Sequence, residues 1–244
     1  VTAHGQDFMK DLGSDDLLRE ICAAAEFVAA ETDYSRDLLR QRCPNSAAKI
    51  HRVYNGIDLE RFAEHRIETA RAPVAPYHPR IVSVGRLVSF KGFDDLTDAC
   101  AELARRGIDF VCDIIGDGPL REALQAKIDQ LDLGSRVNLL GSLSQSAVLE
   151  KLQTADIFAL ASTTDTQGAT DVFPTVILEA MASARPVVST RLAGIPELVV
   201  DGHTGMLAPP GDSAAFAHAL EHLLRDRELR LRFGHAGRER IEHD

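Results

Sequence analysis

The chain is predicted to be an α/β protein: a parallel sheet covered on both faces by helices. Two patterns carry that expectation. Short apolar runs recur about 20 to 30 residues apart, at Ile81 to Val84, Phe110 to Ile115, Val137 to Leu140, Ile157 to Leu160 and Val187 to Ser189. Gaps between them hold amphipathic stripes: Phe93, Leu96, Cys100 and Leu103 in one, Leu120, Leu124, Ile128 and Leu131 in the next, Val148, Leu149 and Leu152 in a third. Buried strands alternating with helices of this length give a Rossmann-like unit, in which ligands bind beyond the carboxyl ends of the strands.

Ahead of that unit the pattern is less regular. Val1 to Asp7 reads as a strand end passing into a turn with His4 and Asp7 at its tip. Ser14 to Glu26 reads as a helix, Phe27 to Ala30 as a short strand, Thr32 to Arg42 as a helix stopped by Pro44, and Ile50 to Tyr54 as a strand ended by the Asn55-Gly56 turn. Between 63 and 79 the composition shifts to Ala, Pro, His and charge, so a linker is expected there, separating residues 1–62 from a domain over 80–244. Asp212 onward reads as helical, with Phe216, Leu220, Leu223 and Leu224 on one stripe.

Composition narrows the function. With 27 Lys and Arg against 37 Asp and Glu, the net charge of -10 argues against a nucleic-acid partner, so any phosphate site has to be local. Cys22, Cys43, Cys100 and Cys112 have no metal-ligand spacing and are expected as reduced, buried thiols of a cytoplasmic protein. No run of 18 apolar residues and no basic-then-apolar leader is present, so neither membrane spanning nor export is expected. His218 and His222, four apart, lack a third ligand and read as a solvated helix face rather than a metal site.

Chemistry is therefore sought in the loops that follow strands. After Val84 comes Gly85-Arg86-Leu87, with Lys91 five residues beyond Arg86. The loop lacks the G-x-G-x-x-G of a dinucleotide dehydrogenase, but Arg86 could grip a phosphate bidentately and Lys91 could add a point charge. Two surface cations would look the same. Gly116-Asp117-Gly118-Pro119 makes a tight turn into a helix that would let a base or ribose lie against backbone, or is simply structural. Asp171 to Met181 reads as a loop entering a helix at Pro174 and Thr175, with Thr175 or a residue before it as the cap and Val176 and Ile177 on the apolar stripe. First-turn amides there would attract an anion between Asp171 and Glu179, although a surface loop with a chance Asp and Glu fits too.

Taken together and in order, these segments resemble a known family. Gly85-Arg86-Leu87 with Lys91-Gly92, Gly116-Asp-Gly-Pro-Leu-Arg121, the Asp171 to Glu179 segment, Gly194-Ile-Pro-Glu-Leu-Val and Asp201-Gly-His-Thr-Gly205 are similar to the nucleotide-binding half of retaining glycosyltransferases of GT-B fold, glycosyltransferase family 4. The likeness covers about residues 50 to 244. Residues 1 to 62 resemble the end of the acceptor half, most of which is absent here. The Thr163 to Thr170 loop is longer than in many members and resembles the branch that builds bacterial exopolysaccharides of the colanic-acid kind.

That resemblance implies a transfer of sugar from a nucleotide-sugar donor to a glycan or lipid-linked acceptor, with retention at the anomeric carbon. It implies no cofactor and no metal: Arg86 and Lys91 would neutralise the donor diphosphate instead. Catalytic roles fall on His4, Arg86, Lys91 and Asp171, and donor binding on Gly85, Arg86, Lys91, Gly116, Asp117, Phe173, Pro174, Thr175, Val176 and Glu179. Glu179 would hold the ribose hydroxyls, Asp171 would touch the donor sugar, and His4 would approach it from across the cleft. Two residues depart from the family pattern: Asp171 stands where Glu is usual, retracting the carboxylate by about 1.5 Å, and Val172 where Gly is usual. A catalytically weak nucleotide-sugar-binding module and a GT-B nucleotide-sugar epimerase stay open as alternatives. Peripheral membrane contact would come through the missing acceptor half.

Overall fold

The computed structural model describes residues 1–3, 14–62 and 77–243. His4 and most of the expected linker fall outside them.

Two parallel sheets are present. The smaller has three strands in the order β1-β2-β3, formed by Thr2–Ala3, Val28–Ala30 and Ile50–Arg52. Between them run helix α1 (Asp16–Ala24), helix α2 (Asp33–Arg42) and a 3-10 turn over Pro44–Lys49. Cys22, Val28, Ala30, Leu39, Cys43 and Ile50 bury against one another as its core. Lys49 ties the end of α1 down by donating to the carbonyls of Ala23 and Ala25 at 2.8 and 2.9 Å.

Six strands make the larger sheet: β4 (Arg80–Val84), β5 (Val111–Ile115), β6 (Val137–Gly141), β7 (Ile157–Ala159), β8 (Val187–Thr190) and β9 (Gly205–Ala208). Their order is β6-β5-β4-β7-β8-β9, every pair parallel. The chain winds outward in one direction from β4 and then in the other from β7, so the two loops leaving β4 and β7 part from neighbouring strands. Such a topological switch point opens a crevice at the carboxyl edge.

The expected alternation holds. Helices α3 (Phe93–Arg105), α4 (Arg121–Gln130), α5 (Gln145–Thr154) and α6 (Thr175–Ala182) follow β4, β5, β6 and β7, and α7 (Ile195–Leu198), α8 (Ser213–Arg225) and α9 (Arg227–His243) follow β8 and β9. Phe93, Leu96, Cys100 and Leu103 of α3 pack with Phe216, Leu220 and Leu223 of α8 in one core, and Leu152, Ile177, Met181 and Leu198 form the other with Val82 and Phe158. Strand β9 was not anticipated: it is a four-residue edge strand with no β-branched residue, so nothing local announced it.

Asp113, buried in β5, pins the sheet register. It accepts from Arg80 of β4 at 2.6 Å, Asn138 of β6 at 2.9 Å and Lys151 of α5 at 3.2 Å. Burial alone would raise its pKa, but hydrogen bonds from Asn138, Lys151 and Arg80 hold it below the usual value.

Helix α9 returns along the back of α6. Its Gly234 lies where a Cβ would sit 2.2 Å from the Ala184 carbonyl oxygen, and its Arg238 donates to the Ala182 carbonyl at the end of α6. No helix among the described residues is long and apolar enough to cross a membrane.

The loops on the carboxyl edge touch backbone to backbone. Gly92 has φ +67°, and a Cβ there would lie 1.7 Å from the Ala161 carbonyl oxygen. Gly92→Ala should therefore destabilise the chain by about 2 kcal/mol or more through left-handed strain plus a forced backbone shift. Urea unfolding followed by circular dichroism measures this, and a loss within error of zero would show that the two loops are not held in contact.

Candidate donor site at the switch point

Five loops leave the carboxyl edge and are bonded to one another. The loop after β4 pairs with that after β5 through Leu87 N to Asp117 O at 2.9 Å and Leu120 N to Leu87 O at 3.1 Å. It meets the loop after β7 through Thr163 N to Phe90 O at 2.8 Å. Gly116, with φ +138°, comes so close to Gly85 that a Cβ would sit 1.9 Å from its carbonyl oxygen, and Gly116 N donates to Gly141 O at 2.9 Å. Thr190 of β8 donates to Ser162 O at 2.6 Å. Gly85, Arg86, Lys91, Gly116, Asp117 and the 171–176 segment thus belong to one rigid rim.

Helix α6 begins at Thr175, with Pro174 in the capping position and no side-chain cap. This corrects the expected cap by Thr175 or a neighbour: Thr175 is already the first helical residue, and proline offers no side-chain acceptor. The first amides of α6 are left for solvent or an anion.

The two cations of the loop after β4 are in different states. Arg86 is exposed and its guanidinium has no hydrogen-bond or ion-pair partner among the described residues. Lys91 is largely buried and its ammonium bonds Asp171 at 2.7 Å. The other Asp171 oxygen accepts from Ser162 at 2.8 Å. Asp171, 9% exposed, is therefore a fixed acceptor rather than a free one. An ionised carboxylate has about four acceptor sites, so the two protein bonds leave capacity for a ligand hydroxyl. Ser162, which no sequence pattern singled out, is the residue that orients it.

Glu179 lies in the second turn of α6, half-buried. Burial pushes its pKa above the usual carboxylate range, and Arg61 opposes the shift only partly. Its carboxylate has no hydrogen bond among the described residues, so its desolvation is offset only in part. The Phe173 ring stacks on Tyr54 with centroids 5.8 Å apart, and Val172 beside it is buried. Elsewhere, His218 and His222 lie on the exposed face of α8 with ring centroids 4.9 Å apart. Asp94, Asp95 and Asp98 cluster at the start of α3, where the Lys127 ammonium already bonds Asp94 and Asp98 at 2.8 Å each.

The class of protein is a doubly wound α/β unit whose switch-point edge carries an exposed arginine, a lysine bonded to a carboxylate and an uncapped helix start. Helix N-termini and cations are features that commonly meet anions. The model of the family described as glycosyl transferases group 1 matches residues 67–240, and the chain belongs to that family. Among its relatives, WcaL of Escherichia coli, assigned to colanic acid biosynthesis as a glycosyltransferase, is 34% identical over 208 residues, which are 85% of this chain and 50% of WcaL. The amylovoran biosynthesis glycosyltransferase AmsK of Erwinia amylovora is 37% identical over 190 residues, 78% of this chain and 45% of AmsK. The chain spans about half the length of these relatives, and both agree with the exopolysaccharide resemblance of the Thr163 to Thr170 loop. Among solved structures, Anabaena HepE in complex with UDP and glucose superposes with a TM-score of 0.76 at 23% identity, covering 94% of this chain and 63% of HepE, which supports the GT-B assignment of the fold.

Two outcomes test the electrostatics. Lys91→Met should destabilise by about 3 kcal/mol because it leaves the Asp171 charge buried, and adding Asp171→Asn should restore much of that; a double-mutant cycle in urea measures the coupling. For Glu179 the sign is set by its raised pKa. As pH falls through that pKa the folded state takes up the proton first, so folding is favoured while a hydroxyl-accepting carboxylate is lost. Nucleoside affinity should fall on acidification from neutral pH and the dependence should flatten in Glu179→Gln, as read by calorimetry at several pH values.

Proposed function

We propose that this chain is the donor-binding half of a metal-independent, retaining glycosyltransferase that moves a sugar from a nucleotide-sugar to a glycan or lipid-linked acceptor. The observation that carries the reading is the carboxyl edge at the switch point, whose bonded loops include the one bearing the exposed, unpaired Arg86 and the one that enters the uncapped start of α6. HepE, of the same fold, holds UDP and glucose, and WcaL and AmsK carry the names of colanic acid and amylovoran biosynthesis glycosyltransferases.

The chemistry suits these residues. Breaking the bond between the anomeric carbon and the diphosphate oxygen builds negative charge on the leaving group. Arg86, Lys91 and the amides at Phe173, Thr175 and Val176 stabilise it without reorganising. The new bond forms from an acceptor hydroxyl on the same face, and its proton passes to the departing phosphate oxygen, which retains the configuration. Glu179 accepts from the ribose hydroxyls. Asp171, held by Lys91 and Ser162, accepts from a sugar hydroxyl with its remaining lone pairs. Gly116 and Asp117 border the nucleoside.

Donor recognition is placed on residues 80–244, and turnover needs in addition an acceptor-side pocket and the group expected at His4.

A thermal-shift panel of nucleoside diphosphates and nucleotide sugars tests the reading, since a ligand that binds the folded state raises the melting temperature. Stabilisation by at least one base series is expected, and indifference to all would overturn it. Calorimetry then resolves the roles. Arg86→Ala should weaken nucleoside diphosphate binding by about tenfold or more and leave the bare nucleoside almost unchanged, whereas equal losses would remove Arg86 from the phosphates. A chelator should leave diphosphate affinity intact, and a strict magnesium requirement would sink the metal-independent scheme.

A further inference from the structure

Glu197 carries a carboxylate that donor chemistry does not use. It sits in α7 just after Gly194, yet its side chain reaches across to the smaller sheet's unit. One oxygen accepts from the Asp33 amide at 2.7 Å and the other from the Tyr34 amide at 2.9 Å. The Tyr54 hydroxyl donates to the same carboxylate at 3.3 Å. Asp33 and Tyr34 are the first two residues of α2, and Thr32, its N-cap, takes the third amide, Ser35, at 2.9 Å. Local and distant caps together satisfy amides that α2 cannot pair internally, and the distant one is ionised and aligned with the helix dipole.

The same junction presses on the donor rim. A Cβ on Gly194 would lie 2.3 Å from the Thr32 methyl and 2.5 Å from the Val172 carbonyl oxygen, so α2's cap, the α7 turn and the 171–173 loop meet at one point. Tyr54, held at its hydroxyl by Glu197, stacks nearly parallel on Phe173, at 18°, and the Arg52 guanidinium covers Tyr54 at 4.0 Å from the ring centroid. Tyr54, Phe173 and Glu197 border one cavity of about 250 Å³ together with Ile57, Leu178 and Leu198. The core holds the Phe173 ring on one side, and Tyr54 stacks on it at the cavity.

We propose that Glu197 is a positioning residue: by clamping the start of α2 and the Tyr54 hydroxyl, it couples the acceptor-side unit to the loop that carries Asp171 and Phe173. A shift of α2 is then felt at the Phe173 amide, and a ligand that orders that loop tightens the clamp in return. This rests on the donor-site reading for its functional consequence, but the coupling itself does not.

Hydrogen exchange on the full chain, comparing the parent with Glu197→Gln and Tyr54→Leu, separates the two. Glu197→Gln keeps the shape but points an amide NH2 at a backbone donor. Exchange should rise about tenfold or more at residues 33 and 34 and also rise at Ile177, whose amide donates to the Pro174 carbonyl at 2.9 Å and so reports on the end of that loop. Tyr54→Leu should raise exchange at Ile177 but not at residues 33 and 34, which keeps the idea testable should Glu197→Gln fold poorly. Calorimetry with uridine and guanosine diphosphates and their nucleosides adds the functional readout: Glu197→Gln should weaken the diphosphate more than the nucleoside, whereas a purely structural role would leave their ratio unchanged. Increased exchange confined to 33 and 34, or protection at Ile177 unaffected by Tyr54→Leu, would overturn the coupling. If the parent binds no nucleotide while both exchange effects appear, the donor reading fails and the clamp stands.

Discussion

Everything at the carboxyl edge depends on backbone segments lying closer than side chains would allow. Gly92 against Ala161 and Gly116 against Gly85 draw three consecutive strand exits into one rim, and Gly194 brings the fifth loop against Val172. These contacts fix where a cation or an amide can be, because a loop bonded along its length cannot wander to meet a ligand. Preorganised charge is worth more than adjustable charge, since no reorganisation is needed when negative charge develops. The rim is the scaffold and the side chains on it inherit its rigidity.

Within an acidic chain of net charge -10, local arrangement decides what an anion encounters. Arg86 stands exposed, whereas Lys91 is held by Asp171 and Ser162. The two cations are thus not interchangeable: one is available, and the other is part of a buried unit that also fixes a carboxylate. The position where Asp replaces the family's usual Glu is the point where a shorter side chain is bonded by the rim itself. Glu179 makes the opposite choice, staying desolvated and unpaired where a hydroxyl donor would relieve it.

Much of the fold was readable because its cause is local and periodic. The strands at Ile81, Val111, Val137, Ile157 and Val187 are apolar runs, and α3 and α8 show their buried stripes directly in sequence. Loop positions followed from that alternation, and with them Arg86, Lys91, Asp171 and Glu179. Three things were hidden for physical reasons. Strand β9 is a short edge strand whose identity comes from pairing with β8 rather than from its residues. Ser162 looks like any loop serine until its hydroxyl is seen on Asp171. Glu197 caps a helix more than 160 residues away, and no local pattern announces a partner at that distance. The bond between Lys91 and Asp171 was also hidden, because the two residues are 80 apart in sequence and only the fold brings them together.

Helix α6 shows what the return of α9 accomplishes. Arg238 meets the Ala182 carbonyl, so the helix's negative pole is answered by a fixed cation within the protein, while its positive pole has no side-chain cap. A helix of eight residues is too short to hold itself together, and packing on α9 supplies the order its own hydrogen bonds cannot. The C-terminal helix thereby acts as a counter-electrode. It lets a short, polarised segment present one unbalanced end outward, and the field that an arriving anion would feel is set in part by a residue on the far side of the domain.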